Sequence, residues 1–411
     1  MDLRYTQEDQ EFRQEVRDWL EANVPREKIR TMEERQAWHR KLYDAGYIGM
    51  GWPKEYGGRE ARPMEQAIVA EEMARINAPA GVNGLGIGIV GPTLIHHGTN
   101  DQKERFLKSI LTGEELWCQL YSEPNSGSDL ASLQCRAEID GDTFIVNGQK
   151  IWTSGGHHSD WGLMLARTDP RAPKHDGISC MLVDLRSEGV DARPLKQING
   201  ETGFSEIFFS NVTVPADNLI GELNTGWRIA QTTLSYERGG SLMAAVSQNQ
   251  RVFKRLMDVA TALQKDGKRA IDDPNIRRRI GEIYRELEVL RYAALRILGR
   301  LEKGQRPGPE SSVAKLHRSE LNKRVQNLLV EILGPYGLIA AGAPGELSLE
   351  DDALYGESGS WGYAFAASYG GTIAAGTSEV QKNILGERVL GMPKEIRADR
   401  IQLAEAAKQR S

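Results

Sequence analysis

Cysteine is scarce in this chain of 411 residues, which contains three: Cys118, Cys135 and Cys180. The count is odd and no pair has the spacing of metal ligands, so the sequence indicates neither a disulfide framework nor a zinc site. Free thiols are typical of a reducing compartment. The N-terminus lacks the apolar core of a signal peptide. We therefore expect a cytoplasmic protein without a resident metal.

Long apolar runs and an excess of positive charge are also absent. No run approaches the roughly 20 apolar residues that a membrane helix needs, so we expect no membrane span. Lysine and arginine number 52 against 57 aspartates and glutamates, which gives a net charge of −5. This weakly acidic balance argues against a nucleic-acid binder, although it leaves room for a local basic pocket around a phosphorylated cofactor.

Three stretches of different character divide the chain and predict an α+β fold. Residues 1–114 have helical periodicity and begin with a capping box at Thr6 and Asp9. Residues 115–222 show short β-type runs separated by turn signals, which predicts a central antiparallel β domain. Residues 223–411 return to helical periodicity and predict a C-terminal domain like a four-helix bundle.

Two local features carry further predictions. Asn147-Gly148 lies between two β-type runs, 144–146 and 150–153, and predicts a hairpin turn. Residues 342–371 are rich in glycine and carry an acidic patch, so we expect a long loop there. Long ordered loops in compact domains are often functional.

A turn-rich segment, residues 121–129, follows the first strand candidate. Its proline, asparagine, glycine and serine residues would expose backbone N–H groups and hydroxyls that can hold an oxyanion or the polar edge of a flavin. A second segment, Trp152-Thr153-Ser154, could wall a flat ring and hydrogen-bond its nitrogens. Taken separately, the first segment is typical of an ordinary turn and the second of cross-strand packing.

Three segments in the right order closely resemble signatures of the acyl-CoA dehydrogenase family. They are residues 117–129, residues 141–154 and residues 376–383, the last of which is Gly-Thr-Ser-Glu-Val-Gln-Lys-Asn. The helix–β–helix order matches the family as well, and the resemblance covers nearly the whole chain. It implies the acyl-CoA dehydrogenase fold and a bound FAD.

The resemblance implies a role toward FAD for each matching residue. Tyr121 and Ser122 would contact the pyrimidine edge of the flavin. Trp152 would pack on the isoalloxazine, with the hydroxyl of Thr153 beside it. Ser154 stands where many relatives have a threonine whose hydroxyl meets flavin N5. The remaining implied contacts are Gly127 and Ser128 near the flavin phosphates, Ser128 also near the pantetheine of the substrate, and Thr377 and Glu379 near the adenosine half of FAD.

The catalytic base is not where many family members have it. They place a glutamate immediately before the late Gly-Thr-Ser, where this chain has Ala375, which cannot accept a proton. A subgroup similar to isovaleryl-CoA dehydrogenase carries its glutamate on a helix of the third domain, just before an arginine. Glu237-Arg238 matches that pattern, which implies Glu237 as the base, with Tyr236 and Arg238 near the acyl-CoA. Without the resemblance, Glu237 and Arg238 would be interpreted as solvated helix charges.

The implied reaction converts an acyl-CoA into a trans-2-enoyl-CoA and passes electrons to an electron-transfer flavoprotein. Two alternatives remain: an oxygen-using oxidase or monooxygenase of the same fold, and a partner subunit with a structural role. The third domain lacks the Arg-x-x-Phe-Gly stretch with which relatives reach a neighbour's FAD, so we expect either a homo-oligomer or a heterotetramer with a related chain. The small Ala375 opposite Glu237 is compatible with branched, cyclic or otherwise bulky acyl chains.

Overall fold

The computed structural model describes residues 5–27, 29–239, 242–265, 267–305, 308, 311–338 and 361–394. At positions 235–239, 242, 244 and 265, the structure describes the backbone only. A helical domain, a β domain and a second helical domain follow one another, as the sequence predicts.

Five α-helices lie in the described part of the first domain: α1 Gln7–Asn23, α2 Met32–Asp44, α3 Pro63–Arg75, α4 Gly91–His97 and α5 Asn100–Thr112. The predicted capping box is confirmed, because the Thr6 hydroxyl accepts the N–H of Asp9 while the Asp9 carboxylate accepts the N–H of Thr6. A π-helical turn, Gly86–Val90, leads directly into α4.

The central domain contains the strands β1 Trp117–Leu120, β2 Arg136–Asp140, β3 Thr143–Ser154, β4 Trp161–Arg167, β5 Ile178–Asp184, β6 Val190–Leu195, β7 Phe204–Pro215 and β8 Leu219–Ile220. These eight strands form one sheet, in the order β6-β7-β3-β2-β4-β5-β8, with β1 paired to β4. Neighbours run antiparallel, except that β1 and one residue of β2 pair with β4 in parallel. One face of β4 and β5 packs against α4, α5 and the first helix of the third domain.

The predicted hairpin turn at Asn147-Gly148 is wrong, because β3 continues through both residues. The turn between β2 and β3 lies instead at Gly141-Asp142. Gly148 has a φ of +147° and sits at a register shift against β7. A Cβ at this glycine would lie 2.7 Å from the Cα of Cys135, so the glycine allows a bulge with close backbone approach.

The described part of the third domain contains α6 Gly226–Gly239, α7 Leu242–Ala262, α8 Pro274–Leu301, α9 Ser311–Leu333, α10 Trp361–Gly370 and α11 Ser378–Ile384. A small hairpin, β9 Gln264–Lys265 and β10 Lys268–Arg269, joins α7 to α8. The helices enclose an apolar core around Leu290, Leu321 and Trp361. Among the helices of these ranges, none combines the length and apolar character needed to cross a bilayer.

The loop predicted over residues 342–371 is wrong for its last part, since α10 occupies Trp361–Gly370. The buried residues of α10 are Trp361, Ala364 and Ser368, whose spacing of three and four is that of one helical face. This face packs on α9, a contact that the glycine-rich composition concealed. The earlier part of the predicted loop, residues 342–360, lies outside the described residues.

Candidate functional site

The end of β1 and the middle of β3 lie side by side. The backbone N–H of Ile151 donates to the carbonyl oxygen of Ser122 at 2.9 Å, so the two segments with predicted flavin contacts adjoin. Beyond Ser122, two backbone hydrogen bonds of 3.0 Å between Glu123 and Ser126 close a tight turn. We call the region formed by residues 121–122 and 152–154 the platform.

A buried ion pair adjoins the platform. The ammonium of Lys150, which is 0% exposed, donates to the Glu123 carboxylate at 2.8 Å and to the carbonyl oxygen of Tyr121 at 3.1 Å. The same carboxylate accepts the backbone N–H groups of Gln134 and Cys135 at 2.7 and 2.9 Å. Both charges therefore have the hydrogen bonds that buried charges require. Sequence reasoning missed this pair, whose one signal was a lysine within a strand candidate.

Trp152 projects from a second bulge in β3. The pairing with β7 shifts register between Lys150 and Thr153, and Trp152 has a φ of +60°. Its side chain is 59% exposed and meets the ring of Phe204 edge-on, with the ring centroids 6.1 Å apart. A left-handed conformation costs a non-glycine residue roughly 1–3 kcal/mol and is concentrated at functional sites. The exposed indole is therefore free to cover a flat ring.

The two residues after Trp152 carry hydroxyls in different settings. Thr153 is buried, and no described residue offers a hydrogen-bond partner to its Oγ1. Ser154 is exposed. Since a buried polar group without a partner costs roughly 1–3 kcal/mol, a bound group that reaches Thr153 would be stabilised there. An exposed aromatic face beside an unsatisfied hydroxyl fits a flavin ring with its polar edge.

The loop that follows the Glu123 turn is anchored at its end. The Asp129 carboxylate accepts the Lys174 ammonium at 2.8 Å, and the Asp129 carbonyl oxygen accepts the Ser126 hydroxyl at 3.3 Å. Gly127 and Ser128 are exposed, and a Cβ at Gly127 would meet no heavy atom of the part of the chain that the structure describes within 4 Å. This open backbone has room for a phosphate, so the predicted role of both residues stays a prediction that the geometry permits.

The late Gly-Thr-Ser segment belongs to the third domain. Thr377 caps α11, since its hydroxyl accepts the N–H of Val380 at 3.2 Å. Ala375 and Gly376 both have positive φ, +53° and +88°. The side chain of Gln381 donates to the carbonyl oxygen of Ala375 at 3.0 Å. Glu379 is exposed, and hydrogen bonds from its own N–H and from Thr377 lower the pKa of its carboxyl. The contacts of Thr377 and Glu379 with adenosine stay predictions.

The predicted base lies on α6, whose backbone course is described. The hydroxyl oxygens of Thr93 on α4 and Thr233 on α6 are 3.1 Å apart, and His97 Nε2 lies 3.1 Å from the Thr232 hydroxyl. These two contacts join α4 to α6. One turn back from Thr93 is the π-helical turn Gly86–Val90, which contacts α6, and one turn beyond Thr233 is position 237.

The side chains of Tyr236, Glu237 and Arg238 lie outside the described residues, so their predicted roles stay predictions. In the first domain, Gly84 and Gly88 are exposed, and a Cβ at either glycine would meet no heavy atom of the described residues within 4 Å. Gly88 lies within the π-helical turn that contacts α6. π-Helical turns occur frequently at functional sites.

The cysteines offer no alternative chemistry at neutral pH. All three are free and buried. Burial raises the pKa of the Cys118 thiol to about 12 and that of Cys135 to about 11, and the thiolate is the reactive form. Within the described ranges, no group of three histidine, cysteine, aspartate or glutamate residues is arranged to hold a metal ion.

Family models match three successive parts of the chain. They describe the acyl-CoA dehydrogenase N-terminal domain over residues 6–114, the middle domain over residues 118–212 and the C-terminal domain over residues 224–390. A relative named acyl-CoA dehydrogenase IpdE1, from Mycolicibacterium smegmatis, is 37% identical over 410 residues, which cover 94% of this chain and 99% of that protein.

Two solved structures share the fold. One is the Tcur3481-Tcur3483 steroid ACAD, which is 31% identical with a TM-score of 0.81. The other is the ChsE4-ChsE5 complex from Mycobacterium tuberculosis, 30% identical with a TM-score of 0.80. Each match covers 96% of this chain and 100% of the matched chain.

Proposed function

This chain belongs to the acyl-CoA dehydrogenase family, and we propose that it oxidises a bulky acyl-CoA thioester to the trans-2-enoyl-CoA with FAD as cofactor. Members of this family are flavoprotein oxidoreductases. The observation that carries the proposal is the platform: an exposed Trp152, held at a left-handed bulge, beside the buried and unsatisfied hydroxyl of Thr153.

The platform residues fit FAD chemically. Trp152 would cover the isoalloxazine, and Tyr121, Ser122, Thr153 and Ser154 would meet its polar edge and N5. When bound, FAD supplies the acceptor for the hydride that leaves the β-carbon of the acyl chain. The residues of this chain have to orient the acyl chain, exclude water and take up the α-proton.

In this proposal, the carboxylate of Glu237 is the base that accepts the α-proton. The Glu-Arg pattern of residues 237–238 supports this assignment, and so do the contacts of α6 with α4 and with Gly86–Val90. Substrate bound there would displace water from the carboxylate, and desolvation raises a carboxyl pKa toward the working pH. Ala375 cannot take the role.

The acyl group we propose is branched, cyclic or polycyclic. Gly88 lies in the π-helical turn that contacts α6, and a Cβ at Gly84 or Gly88 would meet no heavy atom of the described residues within 4 Å. Ala375 also occupies less volume than the glutamate that many relatives carry at its position. The solved structure named as a steroid ACAD, which is 31% identical to this chain, supports a polycyclic acyl group.

We also propose that a second, related chain completes the enzyme, with a homo-oligomer as the alternative. One solved neighbour, ChsE4-ChsE5, is a complex of two differently named chains. In this chain, the β9–β10 hairpin stands in the region where relatives carry Arg-x-x-Phe-Gly. The electrons would then pass to an electron-transfer flavoprotein. Three free thiols support a cytoplasmic location.

Anaerobic bleaching of the flavin absorption band tests the proposal directly. The chain would be purified alone and with any co-encoded related chain, and mixed with a panel of straight, branched, cyclic and steroid acyl-CoAs. We expect a yellow protein whose flavin bleaches with the bulky classes. Protein that binds no flavin would contradict the proposal, and rapid reoxidation in air without an added acceptor would favour an oxidase.

A further inference from the structure

We propose that Lys150, paired with Glu123, is a positioning residue that holds the platform in the shape that binds FAD. This inference rests on the proposed function, because it concerns the same cofactor site. Neither residue needs to touch the cofactor, since both are buried and Lys150 binds the backbone of Tyr121, one of the residues that would touch it.

The direction in which Trp152 points depends on how β3 is held at Lys150. In a regular strand, residues 150 and 152 would point to the same face. Here Lys150 is fully buried while Trp152 is exposed, because the register against β7 shifts between Lys150 and Thr153. Without that shift, the indole would turn toward the side on which Lys150 is buried.

The bulge is held by contacts on both sides of it. Before the bulge, the Lys150 ammonium binds the carbonyl oxygen of Tyr121 at 3.1 Å, and Ile151 N–H binds the carbonyl oxygen of Ser122. After it, Thr153 pairs with Ser205 on β7. A tryptophan in the left-handed conformation persists only when several surrounding contacts fix its backbone. Of the three contacts just named, the one from the Lys150 ammonium is made by a side chain.

Glu123 also fixes the position of the neighbouring turn. Its carboxylate binds Lys150 and the two backbone N–H groups of Gln134 and Cys135, while its backbone closes the turn with Ser126. One buried ion pair thus sets the end of β1, the bulge of β3 and the start of the loop that carries Gly127 and Ser128.

The experiment compares FAD affinity with stability in three variants. Lys150→Met removes the ammonium, and Glu123→Gln combined with Lys150→Met removes both charges, so no unpaired buried charge opposes folding of the double variant. Glu72→Gln is the matched control: Glu72 is a buried carboxylate that binds arginines in the first domain, away from the platform. FAD affinity is measured by titration of apoprotein, and stability by urea unfolding of the apoprotein.

We expect each platform variant to lose about tenfold or more in FAD affinity, equivalent to about 1.4 kcal/mol, and to shift the flavin absorption band. Glu72→Gln should lose stability while it keeps wild-type affinity and spectrum. Wild-type affinity in the double variant, or an equal loss in Glu72→Gln, would overturn the positioning role while leaving the proposed function intact. If the wild-type protein bound no FAD, both the positioning role and the proposed function would be overturned.

Discussion

The hydroxyl oxygens of Thr93 and Thr233 lie 3.1 Å apart, and both residues are fully buried where the first domain meets the third. Each hydroxyl also lies within hydrogen-bond distance of the carbonyl oxygen four residues earlier, that of Ile89 at 2.8 Å and that of Ile229 at 2.9 Å. The contact joins α6 to α4, the helix that directly follows Gly86–Val90. Position 237, the predicted base, follows one turn beyond Thr233 on the same helix.

Glu237→Gln should bind FAD and acyl-CoA but lose flavin reduction. Glutamine keeps the size of the side chain and cannot accept the α-proton, so we expect the reduction rate to fall by about a hundredfold or more. Anaerobic stopped-flow spectroscopy of the flavin band measures this rate. The control is Glu282→Gln, which removes an exposed carboxylate from α8. Wild-type bleaching in Glu237→Gln would exclude this residue as the base.

Gly88→Leu should narrow the range of acyl chains. Gly88 lies in the π-helical turn that contacts α6, and a Cβ there would meet no heavy atom of the described residues within 4 Å. We expect kcat/KM for polycyclic acyl-CoAs to fall by about tenfold or more, since an overfilled site loses several contacts, while short chains react as before. Gly281→Leu, which fills equally open space on α8, is the control. An equal loss for all chain classes would argue against a specificity role for Gly88.

Trp152→Gly should weaken FAD binding without destabilising the apoprotein. Glycine adopts a φ of +60° without strain, so we expect the free energy of unfolding of the apoprotein to stay level or to rise by about 1 kcal/mol. The loss of the indole removes the predicted cover of the isoalloxazine. Calorimetry of the apoprotein and FAD titration separate the two effects. The control is Glu60→Gly, which relieves a φ of +54° in the first domain and should change stability but not FAD affinity. If Trp152→Gly kept the FAD affinity of the wild type, Trp152 would not belong to the cofactor site.

Glu72 makes the first domain sensitive to acid. Burial alone would raise the pKa of this carboxyl, but hydrogen bonds from Arg17, Arg75 and Arg13 outweigh burial and lower the pKa from 4.5 to about 2. Because the pKa is depressed in the folded state, the stabilisation is present above the unfolded value and is lost as pH falls from about 4.5 toward 2. Urea unfolding at several pH values measures the free energy of unfolding. Over this pH range, we expect it to fall less steeply in Glu72→Gln than in the wild type.

The exposed ion pair of Glu331 with Arg279 offers a comparison. Exposed pairs contribute about 0–1 kcal/mol, so Glu331→Gln should keep the acid dependence of the wild type. If Glu72→Gln and the wild type lost stability equally between these pH values, the carboxyl of Glu72 would not be the group that titrates.

The sequence could predict those features whose causes are local. The α1 cap depends on Thr6 and Asp9, three positions apart, and the first-domain helices follow from caps and periodicity within a few turns. The order of the three motif segments indicated the family, and hence the fold, because motif spacing is a property of the chain itself. Glu237 as base and Thr377 and Glu379 as cofactor contacts remain predictions from that resemblance.

Contacts between distant segments were decided only by the tertiary structure. Asn147-Gly148 is compatible with a hairpin or a bulge, and the choice depends on Cys135 and β7, which lie against this glycine. Lys150 is buried because Glu123, 27 positions earlier, neutralises its charge. No local pattern distinguishes such a lysine from a solvated one, since the energy of a buried charge depends on the partner that the fold brings to it.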